Sequence, residues 1–140
     1  MTDDLQNIDA RYLAAFEEVG DEGITRLAAA FYRRVLNDDI LGPMYPAHDL
    51  HGAEIRLRDF LRFRWGGRGD YLDSRGHPRL RMRHAAFAID QTARDRWITL
   101  MDAALDEVKF PPEATALFRG FFHATADFLI NRPLPTISGP

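Results

Sequence analysis

The chain contains no cysteine, which removes disulfides, thiolate nucleophiles and cysteine-based zinc or iron–sulfur centres from consideration. Lysine is almost as scarce: of 18 basic residues, Lys109 alone is a lysine and the rest are arginine. No stretch approaches the roughly 18 uncharged apolar residues of a membrane span. The opening MTDDLQNIDA is acidic and polar where a secretory signal would be basic and then apolar. A soluble protein of the cytoplasm is therefore expected. Several catalytic signatures are absent as well. There is no HExxH zinc motif, no phosphate-binding GxxxxGK[ST], no GxGxxG opening a helix and no GxSxG nucleophile turn. Nor does any segment alternate cleanly between apolar and polar, so no strand is predicted.

What is present fits one domain spanning residues 1–140, with its core over about 8–133 and a disordered tail at 134–140. The hydrophobic fraction of 46% is that of an ordinary globular chain. Net charge is −3, but it is unevenly spread: nine arginines fall between Arg56 and Arg83, against Asp59, Asp70 and Asp73. That middle section carries a surplus of about six positive charges, which suits an anionic partner, either nucleic acid or a carboxylate-bearing cofactor.

Apolar spacing of three and four recurs along the chain. Ile8, Tyr12, Phe16 and Val19 share one face, and the Gly20-Asp21-Glu22-Gly23 breaker follows. Ile24, Leu27, Phe31 and Val35 make the stripe of a second helix that runs out near Asn37. Gly42-Pro43 and Tyr45-Pro46 predict a bent, non-helical corner. A third helix is expected from about Gly52 to Arg64, stopped by Gly66-Gly67 and followed by the long polar loop GGRGDYLDSRGHP. A short helix carries RLRMRHAAF. Asp90 or Thr92 then caps a helix with Trp97, Met101, Ala104, Leu105 and Val108 inward. Pro111-Pro112 starts the last helix, with Leu117, Phe121, Ala124, Thr125 and Phe128 expected inward. On periodicity alone the pattern fits a four-helix bundle equally well.

Among His48, His51, His77, His84 and His123, only His84 has a context that suggests ligation: a short helix in which Ala85, Ala86 and Phe87 follow it. Taken singly, it reads more readily as a hydrogen-bonded, partly buried histidine. Tyr32, Tyr45 and Trp97 are apolar bodies with one polar hydrogen each, and singly they read as core aromatics.

The ordered set is more specific. Phe31-Tyr32 is followed thirteen residues on by Tyr45-Pro46, then by Phe60-Leu61, Trp65-Gly66-Gly67, Gly76-His77-Pro78, Arg81-Met82-Arg83-His84 with Phe87, and Trp97. In this order the chain resembles the truncated haemoglobins, specifically their second group, from about Ile8 to Pro133. The resemblance implies an all-α, shortened globin fold in which two pairs of helices sandwich haem b (iron protoporphyrin IX). It aligns His84 with the proximal iron ligand, and Tyr32, Tyr45 and Trp97 with the distal residues that stabilise a bound ligand. Ala53, Leu57, Phe60 and Phe87 fall at haem-lining positions, and Arg56 and Tyr71 at propionate-contacting ones. Two departures touch turn geometry: Asp21 follows Gly20 where relatives often have a second glycine, and Arg68 stands where proline is common; Tyr45, where many relatives have phenylalanine, affects the ligand chemistry directly.

The function implied is binding of oxygen, nitric oxide, carbon monoxide or peroxide at the haem. With Ala53 too small to coordinate iron, the distal position is expected to be open. Two donors at about 1–2 kcal/mol each would slow oxygen release by roughly 30- to 1,000-fold. That favours redox chemistry on nitric oxide or peroxide over oxygen delivery, with electrons from a separate reductase. A non-catalytic sensor or store is the alternative, and a cofactor-free nucleic-acid module built on the arginines is a third reading.

Overall fold

The computed structural model describes residues 10–66 and 90–129, which form four α-helices: α1 (Ala10–Leu36), α2 (Leu50–Gly66), α3 (Gln91–Val108) and α4 (Pro112–Phe128). No strand occurs among the described residues. The expected break between the first two helical segments is a kink inside α1. Gly20 sits at φ 75°, ψ 169°, a backbone state that a side chain resists. Three residues on, Gly23 packs close; a Cβ there would lie 3.1 Å from the Val19 side chain and 3.2 Å from the Phe110 ring.

The corner after α1 is more ordered than its prolines suggest. Two short 3-10 turns, Gly42–Met44 and Ala47–Asp49, flank an extended Tyr45 (φ −111°, ψ 138°). Pro43 fits the first turn because its missing N–H would have no partner there. α2 is longer than expected, running from Leu50 to Gly66. A Cβ at Gly66 would sit 2.7 Å from the Phe16 ring, so glycine lets the end of α2 close on α1.

Asp90 caps α3, its carboxylate accepting from the Ala93 amide at 2.9 Å. α3 ends at Lys109, which adopts the left-handed conformation (φ 56°, ψ 49°) usually taken by glycine. Pro111 and Pro112 then start α4 as expected.

α1 packs against the other three helices, and α3 against α4, so the α1–α2 pair lies over the α3–α4 pair. Ile24, Leu27, Phe31 and Val35 of α1 and Met101, Ala104, Leu105 and Val108 of α3 are buried as their spacing predicted. In α4 the register differs. The buried residues are Ala114, Phe118, Phe122 and Ala126, whereas Phe128 is 54% exposed. Ala124 is exposed too, and Leu117, Phe121 and Thr125 are only partly covered. The physical reason is Trp65, fully buried at the end of α2, whose ring stacks on Phe118 at 4.0 Å between centroids. That contact turns the 118–122 face inward.

Candidate functional site

The site is assembled where the second half of α1, the 3-10 corner, the first half of α2 and the first half of α3 converge. Tyr32 comes from α1, one residue after the fully buried Phe31. Tyr45 comes from the corner, and the two phenol rings meet edge to face at 5.6 Å. Burial lifts Tyr32 well above its ordinary pKa, with the nearby Tyr45 adding to the rise. Burial also raises Tyr45, but there the neighbouring Tyr32 hydroxyl and Arg56 oppose the rise. Both phenols therefore keep their hydrogens at neutral pH.

Trp97 approaches through Phe31, with ring centroids 5.1 Å apart and tilted by 56°, and rests against Phe122 at 5.6 Å on its other side. On α2, Ala53 is 5% exposed and Phe60 8%, with Leu57 partly buried between them. Spacing of four and three residues puts these three on one helix face. A small residue, an aliphatic one and an aromatic one on α2 thus accompany a partly buried phenol pair.

Arg56 also lies near the phenols, close enough for its charge to act on both. Its Nη2 donates to Asp49 Oδ2 at 2.7 Å, and that guanidinium holds the Asp49 carboxyl below its ordinary pKa. Gly52 makes room for the pair: a Cβ there would lie 2.3 Å from Asp49 Oδ1. A guanidinium has five N–H donors, so the ion pair leaves others for an anion.

The rest of the described arginine cluster is occupied. Arg58 pairs with Asp59 at 2.9 Å, and Arg62 with Asp21 at 3.2 Å. Arg64 sits over the Phe121 ring at 5.6 Å. This part of the cluster gives the nucleic-acid reading no support. Tyr71, His84 and Phe87, with the 76–83 stretch, lie outside the described residues. Of the expected site residues, the structure pairs Tyr32 with Tyr45, sets Arg56 near both, links Trp97 to Tyr32 through Phe31, and puts Ala53, Leu57 and Phe60 on one face of α2; it does not bear on the other three.

Two features were missed by sequence reasoning. Asp38 and Arg96 join the corner to α3 at 2.5 Å, a pairing across the chain with no local signature. Trp65 was read only as part of a motif. It is the hub of an aromatic stack, and its Nε1 is buried with no hydrogen-bond partner among the described residues.

These four helices and this cluster of side chains fit a compact globin, and the comparisons with known proteins agree. The family model of bacterial-like globins matches residues 14–131. The group 2 truncated haemoglobin YjbI of Bacillus subtilis is 33% identical over 119 residues, covering 85% of this chain and 89% of that protein. Among solved structures, a thermostable haemoglobin from the actinobacterium Thermobifida fusca is 44% identical, with a TM-score of 0.81 over 87% of this chain and 98% of its own. A truncated oxygen-avid haemoglobin from Bacillus subtilis is 32% identical, with a TM-score of 0.79 over 84% and 98%. The chain belongs to the bacterial-like globins, within the group 2 truncated haemoglobins. Membership implies haem-based ligand binding on a two-over-two helical fold. No helix among the described residues is long and apolar enough to cross a membrane.

Proposed function

We propose that the protein holds haem b and binds oxygen with slow release, and that this serves redox chemistry on nitric oxide or peroxide. The observation that carries the reading is the edge-to-face pair of Tyr32 and Tyr45, partly buried against the core and accompanied by the Ala53–Leu57–Phe60 face of α2. Haem supplies the iron at which a diatomic ligand binds and the electron transfer that ligand undergoes. His84 would hold it on the proximal side. Arg56 and Tyr71 would meet its propionates, and Ala53, Leu57, Phe60 and Phe87 would line it.

The chain's own part is to hold protons in place. The two phenols are raised in pKa by burial and so keep their hydrogens at neutral pH. The Tyr45 hydroxyl and the Trp97 indole N–H would donate to a ligand that carries partial negative charge. Two such bonds at about 1–2 kcal/mol each slow release by roughly 30- to 1,000-fold. The oxygen-avid description of the solved Bacillus subtilis relative supports the same direction. A site that holds its ligand this long suits reaction better than delivery, and turnover would draw electrons from a separate reductase.

The test is an absorption spectrum of the purified protein, as isolated and reduced, before and after carbon monoxide. An intense Soret band that shifts with carbon monoxide, and that His84→Ala loses, is the expected result. A protein that takes up supplied haem no better than His84→Ala would overturn the reading. Steady-state consumption of nitric oxide or peroxide with a reductant then separates turnover from storage.

A further inference from the structure

Asp38 lies two residues beyond the end of α1, and its carboxylate is used three ways. Oδ2 accepts from the amides of Ile40 at 3.0 Å and Leu41 at 2.8 Å. Oδ1 accepts from Arg96 Nη1 at 2.5 Å. The Asp38 side chain is only 6% exposed. Most other ion pairs of the described residues join more exposed partners. Arg33 and Glu107, for example, are 56% and 40% exposed, and pairs of that kind contribute about 0–1 kcal/mol. A shielded carboxylate with two amide donors and a guanidinium belongs to a stronger class.

What it connects is specific. From Asp38 two successive backbone hydrogen bonds lead to the backbone of Tyr45: Gly42 N to Asp38 O at 3.1 Å, and Tyr45 N to Gly42 O at 3.2 Å. Leu41, 2% exposed, anchors the corner in the core, and a Cβ at Gly42 would lie 3.0 Å from the Val35 carbonyl. At the other end, Arg96 is the covalent neighbour of Trp97. Arg96 Nη1 also reaches Asp39 at 3.0 Å, but that carboxylate is 86% exposed and adds little.

We propose that the Asp38–Arg96 ion pair is a positioning latch: it fixes the Tyr45 corner against α3 and so sets the spacing between the Tyr45 and Trp97 donors. The inference rests on the proposed ligand-binding role of those two residues. Neither Asp38 nor Arg96 touches the ligand; both act through Tyr45. The Asp38 carboxyl is ionised throughout the neutral range. Burial alone would raise its pKa, but the Leu41 amide, Arg96 and the Ile40 amide together hold it below its ordinary value.

The experiment has a haem-free and a haem-loaded arm. In the haem-free protein, Arg96→Gln is expected to speed amide hydrogen exchange at Ile40, Leu41 and Tyr45, with α4 unchanged. In the loaded protein, Arg96→Gln and Asp38→Asn are each expected to speed oxygen release about three- to tenfold. Arg96→Lys, which keeps the charge, restores most of the slow rate. In a Tyr45→Phe background, Arg96→Gln adds no further acceleration. Three results overturn the latch: unchanged release in Arg96→Gln, equal acceleration with and without the Tyr45 hydroxyl, or no effect of Tyr45→Phe itself. If the wild-type protein takes up no haem, the proposed function fails. The latch is then judged by exchange alone, and unchanged exchange at Tyr45 refutes it.

Discussion

The two tryptophans of this chain occupy opposite kinds of environment. Trp65 is fully buried, stacked on Phe118 at an 8° interplanar angle and aligned with Tyr12 at 6.2 Å, with Phe121 and Phe122 edge-on to it. Its indole N–H has no partner among the described residues. Trp97 is partly buried and tilted against Phe31, which in turn packs edge-on to Tyr32. The first ring is used for its surface, at the expense of a donor left unsatisfied. The second lies one ring away from the phenol pair. An aromatic cluster therefore points to a ligand site by where its polar groups lie; the number of rings says little.

The largest effect predicted from this contrast is on stability. Trp65→Ala should cost about 3–5 kcal/mol, because the stack of Tyr12, Phe118, Phe121 and Phe122 loses its centre. Trp65→Phe should cost far less. The smaller ring leaves a partial void, but removing the orphan N–H recovers part of a desolvation penalty of about 1–3 kcal/mol. Denaturant midpoints of the haem-free protein measure both. Near-equal losses for the two variants would mean that the indole N–H carries no penalty.

Trp→Phe at position 97 is expected to do the reverse. Stability should change little, while oxygen release should speed by roughly tenfold, the equivalent of about 1.4 kcal/mol for one lost donor. Trp65→Phe should leave the release rate unchanged. Stopped-flow release measured on both variants decides the matter, and equal rates would remove the distinction between the two indoles.

The contrast also explains what could be read from residues alone. The stripes of α1 and α3, the Asp90 cap and the start of α4 at Pro112 follow from local rules and stand as expected. The facing of α4 did not follow, because its sequence PEATALFRGFFHATADF supports two overlapping apolar stripes. Phe121 and Phe122 are adjacent, and spacing cannot rank them; the stacking of Phe118 on Trp65, more than fifty residues away in the chain, sets which face turns inward. The 3-10 turns of the corner were hidden because their prolines signal a break without saying how tight the turn is. Tyr32, Tyr45 and Trp97 were legible as a site only as an ordered set, since each alone is an ordinary core aromatic. The Asp38–Arg96 pair was out of reach for a related reason: a charge pair across distant segments leaves no periodic trace.

The smallest effect concerns Phe122, which touches both indoles, at 5.5 Å from Trp65 and 5.6 Å from Trp97. It is 1% exposed and is the one ring in contact with both tryptophans among the described residues. Phe122→Leu keeps an apolar side chain of similar volume and should cost about 1 kcal/mol of stability. Its effect on oxygen release should stay within about twofold, because the phenol pair and the corner that carries Tyr45 hold their places without it. A larger acceleration would show that packing behind Trp97 governs the donor geometry. The Trp65 stack would then belong to the site, and the two regions would have to be treated as one.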